Sequence, residues 1–113
     1  MSSIKSYKEL IVWQKSITLV KKIYKITEYF PPSEQFGLTS QMRRASVSIP
    51  SNIAEGWGRL SRKNYIQFLR ISRGSLFELE TQILIIKELE YINDSEAIEN
   101  LITEISKMLK TKS

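Results

Sequence analysis

Hydrophobic positions recur at helical spacing in four blocks of this chain, separated by short runs rich in proline, glycine and turn-forming residues. In the first block Leu10, Trp13, Ile17, Val20, Tyr24 and Thr27 step by alternating threes and fours. Val12, Leu19, Ile23, Ile26 and Phe30 form a second row beside them. Lys15, Lys21, Lys22 and Lys25 fill the remaining side, so the pattern predicts a broad-faced amphipathic helix over about 7–29. Pro31-Pro32-Ser33 ends it, because proline lacks an amide donor and disfavours helical geometry in the residue before it.

The second block, about 34–58, places Leu38, Met42, Ala45, Ile49, Ile53 and Trp57 on one face and is interrupted by Pro50. One kinked helix and two abutting short helices both fit, and one helix kinked near Pro50 is preferred. Ser46, Ser48 and Ser51 lie around the proline, where hydroxyls can satisfy loosened backbone groups. Ser61 is placed to cap a third helix over about 61–91. Its inward row is Tyr65, Leu69, Ser72, Leu76, Leu79, Ile83 and Ile86, and Ser72, Gly74 and Ser75 form a small patch that permits close helix approach. Asn93-Asp94-Ser95 makes a turn and cap, and a last helix over about 95–110 turns Ile98, Leu101, Ile102, Ile105, Met108 and Leu109 inward.

Four amphipathic helices with short connections predict an all-α fold, an antiparallel up-down four-helix bundle forming one domain over 1–113. The third helix is much longer than the fourth. That mismatch leaves apolar surface around Tyr65, Phe68 and Ile71 and points to a homo-oligomer.

Composition narrows the chemistry. The 113 residues contain neither cysteine nor histidine. Disulfides are excluded, the usual zinc, haem and carboxylate–histidine iron sites lose their ligands, and imidazole acid–base catalysis is impossible. No metal or other cofactor and no catalytic set is therefore expected. Met1–Lys8 is polar, and no apolar run approaches a membrane span, so a cytoplasmic protein without a membrane partner is expected.

Charge adds the strongest functional clue. All six arginines fall between Arg43 and Arg73, where Arg43, Arg44, Arg59, Arg62, Lys63, Arg70 and Arg73 face one acid, Glu55, for a net +6. From Glu78 to Glu104 eight acids face one base, Lys87, for a net −7. The overall +5 is what remains of two opposed blocks. Arginine pairs bidentately with phosphate or carboxylate. The seven bases are thus candidate nucleic-acid contacts, or else partners of glutamates on neighbouring helices or subunits. Arg62 and Arg73, eleven residues apart, share one side of an ideal helix, with Arg70 beside them. Glu55 is best read as an i,i+4 partner of Arg59, and Asn52 as a hydrogen-bonding residue that fixes geometry next to Pro50. With no histidine as base, the serines read as packing residues rather than nucleophiles. Trp57, between two glycines, is the aromatic most open to exposure, although a core position is favoured.

The run Tyr7-Lys8-Glu9-Leu10-Ile11-Val12-Trp13-Gln14 begins an ordered set of matches to one family. It continues through Phe36-Gly37-Leu38, Gln41-Met42-Arg43-Arg44-Ala45, Ser48-Ile49-Pro50 and Asn52-Ile53-Ala54-Glu55-Gly56. Gly58-Arg59 and Gly74-Ser75-Leu76-Phe77-Glu78-Leu79-Glu80-Thr81-Gln82 complete it. Over about 7–90 the chain resembles the bacterial four-helix-bundle proteins encoded in intervening sequences of 23S ribosomal RNA genes, some of which carry ribosomal-protein labels. The resemblance implies a homopentameric ring. The chain is also similar to the accessory variability protein of diversity-generating retroelements, a basic barrel that associates with a reverse transcriptase and nucleic acid. Arg43, Arg44, Asn52, Glu55, Gly56 and Arg59 coincide with the family's characteristic motif, and Pro50, Asn52, Glu55 and Gly56 are expected to be its structural residues. The expectation is a non-enzymatic oligomeric bundle that binds RNA or DNA through basic surface residues. The alternative is a protein-interaction scaffold, for example for a polymerase or reverse transcriptase.

Overall fold

A computed structural model of the chain describes residues 4–112, with side chains described for 4–110; Met1–Ser3 and Ser113 lie outside the described residues. Four helices, α1 (Ile11–Thr27), α2 (Leu38–Trp57), α3 (Arg62–Glu88) and α4 (Glu96–Lys112), form the bundle, with 3₁₀ turns at Tyr7–Glu9 and Pro32–Glu34. α1 packs on α2 and α4, and α3 packs on α2 and α4, closing a four-cornered body 48 Å long. The α2–α3 contact is the most extensive of the four.

Local chemistry shifts several predicted boundaries. α1 starts at Ile11, not near residue 7, because Ser6 and Glu9 build a separate capped turn and Leu10 is extended (φ −72°, ψ 126°). α2 starts at Leu38, since Pro32–Glu34 forms its own turn and the Glu34 carboxylate accepts the Leu38 amide at 3.2 Å. Ser61 caps α3 as expected, its Oγ accepting the Asn64 amide at 3.1 Å. α3 stops at Glu88 because Glu90 takes a left-handed conformation (φ 62°) and the Tyr91 amide returns to the Ile86 carbonyl at 2.9 Å. The Asp94 carboxylate then accepts the Glu96 amide at 3.0 Å and opens α4.

The core takes the predicted rows of α2, α3 and α4, but α1 turns differently. Its second row supplies most of the buried side, joined by Ser16 and by Leu10 and Thr27 from the two ends of the first row, so Val12, Ser16, Leu19, Ile23 and Thr27 of the helix face inward. The Ser16 hydroxyl donates to the Val12 carbonyl at 2.7 Å and that of Thr27 to the Ile23 carbonyl at 2.8 Å. Satisfied within their own helix, these hydroxyls can be buried. The first row, including Trp13, Ile17 and Val20, lines a shallow groove against Val47 and Pro50 of α2 instead.

α2 continues as one helix through Pro50, whose ring is buried. The seam between α2 and α3 is built from small and polar groups. Ser72 donates to the Ile49 carbonyl at 2.9 Å, and Ser48 and Ser75 hydroxyls meet at 2.9 Å. Asn52 donates to the Ser48 carbonyl at 2.8 Å, the geometry-fixing role expected of it. Gly56 gives the close approach: a Cβ there would lie 2.7 Å from the Cβ of Phe68 and 3.3 Å from the Tyr65 carbonyl oxygen. Gly74 does not contribute, because a Cβ there would meet nothing within 4 Å. Tyr65 and Phe68 are consequently half-covered by the end of α2, whereas Ile71 is exposed as expected and the exposed apolar surface of α3 continues through Phe77, Leu84 and Ile85.

The two glycines should therefore respond in opposite ways to alanine. Gly56→Ala is expected to destabilise the fold by about 1–3 kcal/mol through overpacking. Gly74→Ala should stabilise the isolated chain by up to about 1 kcal/mol through helix propensity. Denaturant melts of both variants check the contrast.

Candidate functional site

The turn from α2 to α3 brings part of the predicted basic set together. Arg62, Lys63 and Arg70, with Asn64, Ile66 and Gln67, line a shallow groove of about 510 Å³ over the first turns of α3. Arg62 and Arg70 are eight residues apart, so their backbone positions are roughly 12 Å apart along the helix. All three cations are exposed, and among the described residues none has a carboxylate within 4.0 Å. Ser61 fixes the start of α3, so the groove stands on regular helix rather than on a mobile loop.

The remaining bases are placed otherwise. Arg59 pairs with Glu55 at 2.5 Å, as the spacing predicts, and also stacks over the Phe68 ring at 4.8 Å. Arg43 reaches back to α1, donating from Nε to Thr27 Oγ1 at 2.8 Å and from Nη2 to the Tyr24 carbonyl at 3.3 Å, with its guanidinium 4.6 Å from the Tyr24 ring centre. Arg73 leans over Phe77 at 5.3 Å with its Nε buried and without a hydrogen-bond partner. It does not line the groove, so the basic row is Arg62–Lys63–Arg70 rather than Arg62–Arg70–Arg73. Arg44 is exposed and has no ion-pair partner among the described residues. It lines two cavities on either side of α2, one shared with Tyr24 and Arg43 and one with Phe36 and Glu78. Of the motif residues, Pro50 and Gly56 serve packing, Asn52 holds Ser48 within α2 and Glu55 pairs with Arg59.

A model of the family described as 23S rRNA-intervening sequence protein matches residues 8–111. The chain belongs to this family. A crystal structure of a protein of unknown function from the S23 ribosomal protein family of Bacteroides thetaiotaomicron VPI-5482 superposes with a TM-score of 0.82 at 29% identity. The match covers 89% of this chain and 96% of that one. No curated protein matches. The likeness to the S23 structure extends to nearly its whole length, so the bundle is the full body of that relative.

Trp57 packs half-buried against the core, the position favoured for it, whereas sequence reasoning missed Phe36, which is 88% exposed in the turn before α2. Its placement after two prolines and before Gly37 was the available signal. Glu34 was also missed: besides capping Leu38 it accepts the Tyr91 hydroxyl at 2.9 Å, tying the start of α2 to the α3–α4 connection. That hydrogen bond, with burial and the carboxylate charge, raises the Tyr91 phenol above its ordinary pKa. Burial alone raises that of Tyr65.

The acidic block lies at the other end of α3 and along α4. There Glu99 accepts the Ser95 hydroxyl and, at 3.3 Å, Lys87 Nζ; these contacts lower its carboxyl pKa. Among the described residues no group of three or more acidic, histidine or cysteine side chains is placed to hold a metal ion, and no helix is long and apolar enough to cross a membrane. A lowered carboxyl stabilises the fold above the unfolded value, about 4.3 for glutamate. The contribution disappears as pH falls through the lowered folded value. Glu99→Gln should therefore flatten the acid limb of a stability–pH profile between about 4.3 and the lowered folded value, read from thermal melts, with little change in slope near neutrality.

Proposed function

We propose that this protein is a non-enzymatic, cytoplasmic, homo-oligomeric bundle that binds RNA or DNA through phosphate contacts from Arg62, Lys63 and Arg70. The observation that carries the reading is the groove these residues share: three exposed cations on one stretch of helix, with no carboxylate within ion-pairing distance among the described residues. Unpaired arginine on a rigid element supplies phosphate affinity without sequence choice. The acids of α4 and the far end of α3 would repel the same polyanion, so binding is confined to one pole.

Self-association is supported by the outer side of α3, where Ile71, Phe77, Leu84 and Ile85 are all substantially exposed around an unobstructed Gly74. Exposed apolar side chains gathered on one side of a helix, here interspersed with Arg70, Glu78 and Glu88, are a feature of subunit contact. The resemblance drawn from the sequence makes a ring of five the proposed assembly. Several copies of a weakly binding groove would then act on one strand by raising the effective concentration at each further site.

The Arg62→Glu/Arg70→Glu double variant should keep its helical spectrum and bind RNA and DNA at least tenfold more weakly, with a shallower dependence of log affinity on log salt by about two. Unchanged affinity in filter binding contradicts the phosphate-contact reading. A partner protein captured in its place would favour the scaffold alternative. For assembly, light scattering should give about 66 kDa, five times the 13.2 kDa chain. Leu84→Glu should reduce that mass to the monomer's.

A further inference from the structure

Between the start of α2 and the middle of α3 lies a second cavity, of about 430 Å³, lined in part by Phe36, Gln41, Arg44, Ser48, Ser75 and Glu78. Its volume is that of a small-molecule site. Phe36 offers an open ring face: it is 88% exposed and has no ring or cation partner among the described residues. The turn that carries it is held from both sides. The Gly37 amide donates to the Glu34 carbonyl at 3.0 Å, and the Glu34 side chain is fixed by the Leu38 amide and the Tyr91 hydroxyl. An exposed aromatic ring carried on a braced turn offers an open stacking face.

The polar lining is mixed in a way that selects the ligand. Arg44 has no ion-pair partner among the described residues and calls for an anion. Glu78, whose carboxylate receives only a long 3.4 Å contact from Gln82, calls for donors. A bare phosphate or a carboxylate ligand meets repulsion from Glu78. A ligand that joins a flat face, adjacent N–H donors and a phosphate satisfies all three groups. Guanine presents its N1–H and exocyclic amine side by side, matching the two oxygens of a carboxylate, whereas uracil flanks its single N–H with acceptors. Ser75 lies five residues from Arg70, roughly 7.5 Å along α3 but about 140° around it, so this cavity and the basic groove are separate surfaces of the helix.

We infer that this cavity seats one unstacked guanine of a single strand, its face on Phe36, its Watson–Crick edge on Glu78 and Gln41, and its phosphate on Arg44. The inference rests on the nucleic-acid reading above and adds base preference to it. Guanosine monophosphate carries the same chemistry and distinguishes a free nucleotide from a strand.

The test is fluorescence anisotropy with an oligouridine and the same strand carrying one central guanosine, with particle mass followed by light scattering. The wild-type protein should bind the guanosine strand roughly tenfold more tightly, the scale of one bidentate base-edge contact. Phe36→Ala and Glu78→Gln should each erase that ratio at unchanged mass, and Phe36→Tyr should keep it. Arg62→Glu/Arg70→Glu should weaken both strands and preserve the ratio. A ratio that survives Phe36→Ala and Glu78→Gln overturns the guanine seat while leaving the phosphate groove standing. So does a fall in mass for Phe36→Ala with the ratio intact in Glu78→Gln, which makes Phe36 a subunit anchor. If neither strand binds, the phosphate reading falls, and a titration with guanosine monophosphate then decides the cavity: no binding overturns it as well.

Discussion

The close approach of α2 to α3 is the constraint on which the remaining geometry depends. Gly56 lets the end of α2 rest on Tyr65 and Phe68, leaving no room for even a methyl group. Farther along, hydroxyls join the helices beside the apolar core: Ser72 to the Ile49 carbonyl, and Ser48 to Ser75. Buried polar groups of this sort cost stability if left unpaired, so satisfying them fixes one register between the two helices. Leu or Ile pairs at the same positions would tolerate sliding; a hydroxyl that must find one carbonyl does not.

That register determines what the outside of the molecule presents. Because α2 covers the first turns of α3 on one side only, Arg62, Lys63 and Arg70 stand together on the other. The same packing draws Arg59 onto Phe68 and Glu55, removing it from the free set. It also sets Ser48 of α2 opposite Ser75 of α3, leaving beside them the cavity that Phe36 and Arg44 border. Of the two charge blocks, Arg62, Lys63 and Arg70 stand where α3 begins and most of the acids lie at the end of α3 and in the first half of α4, while Arg44 shares a cavity with Glu78. Electrostatic attraction to a polyanion would then act with an orientation, not merely with a sign.

Much of this bundle could be read from residue spacing, and what could not has identifiable causes. The inward row of α3 was legible because its apolar residues and Ser72 keep one heptad rhythm with no competing row. α1 carries two rows of similar weight, and the decision fell to Ser16 and Thr27, whose self-satisfied hydroxyls made the more polar side buriable. The left-handed Glu90 could not be foreseen, since glycine is the usual residue there. For the candidate site, charge identified the segment but not the members. Arg43 was withdrawn by Thr27 and Tyr24 of another helix, and Arg73 by Phe77, contacts that exist only once the chain is folded. Phe36 was hidden for the opposite reason: an aromatic at a helix boundary resembles a core residue until burial is known.

Hydrogen exchange with and without a bound single strand tests most directly whether one pole of the bundle receives the polyanion. Slowed exchange is expected in the α2–α3 turn and the first two turns of α3, residues 59–70, with α4 unchanged. Equal protection of α4, or none near Arg62 and Arg70 under saturating strand, would contradict a polar, phosphate-directed surface.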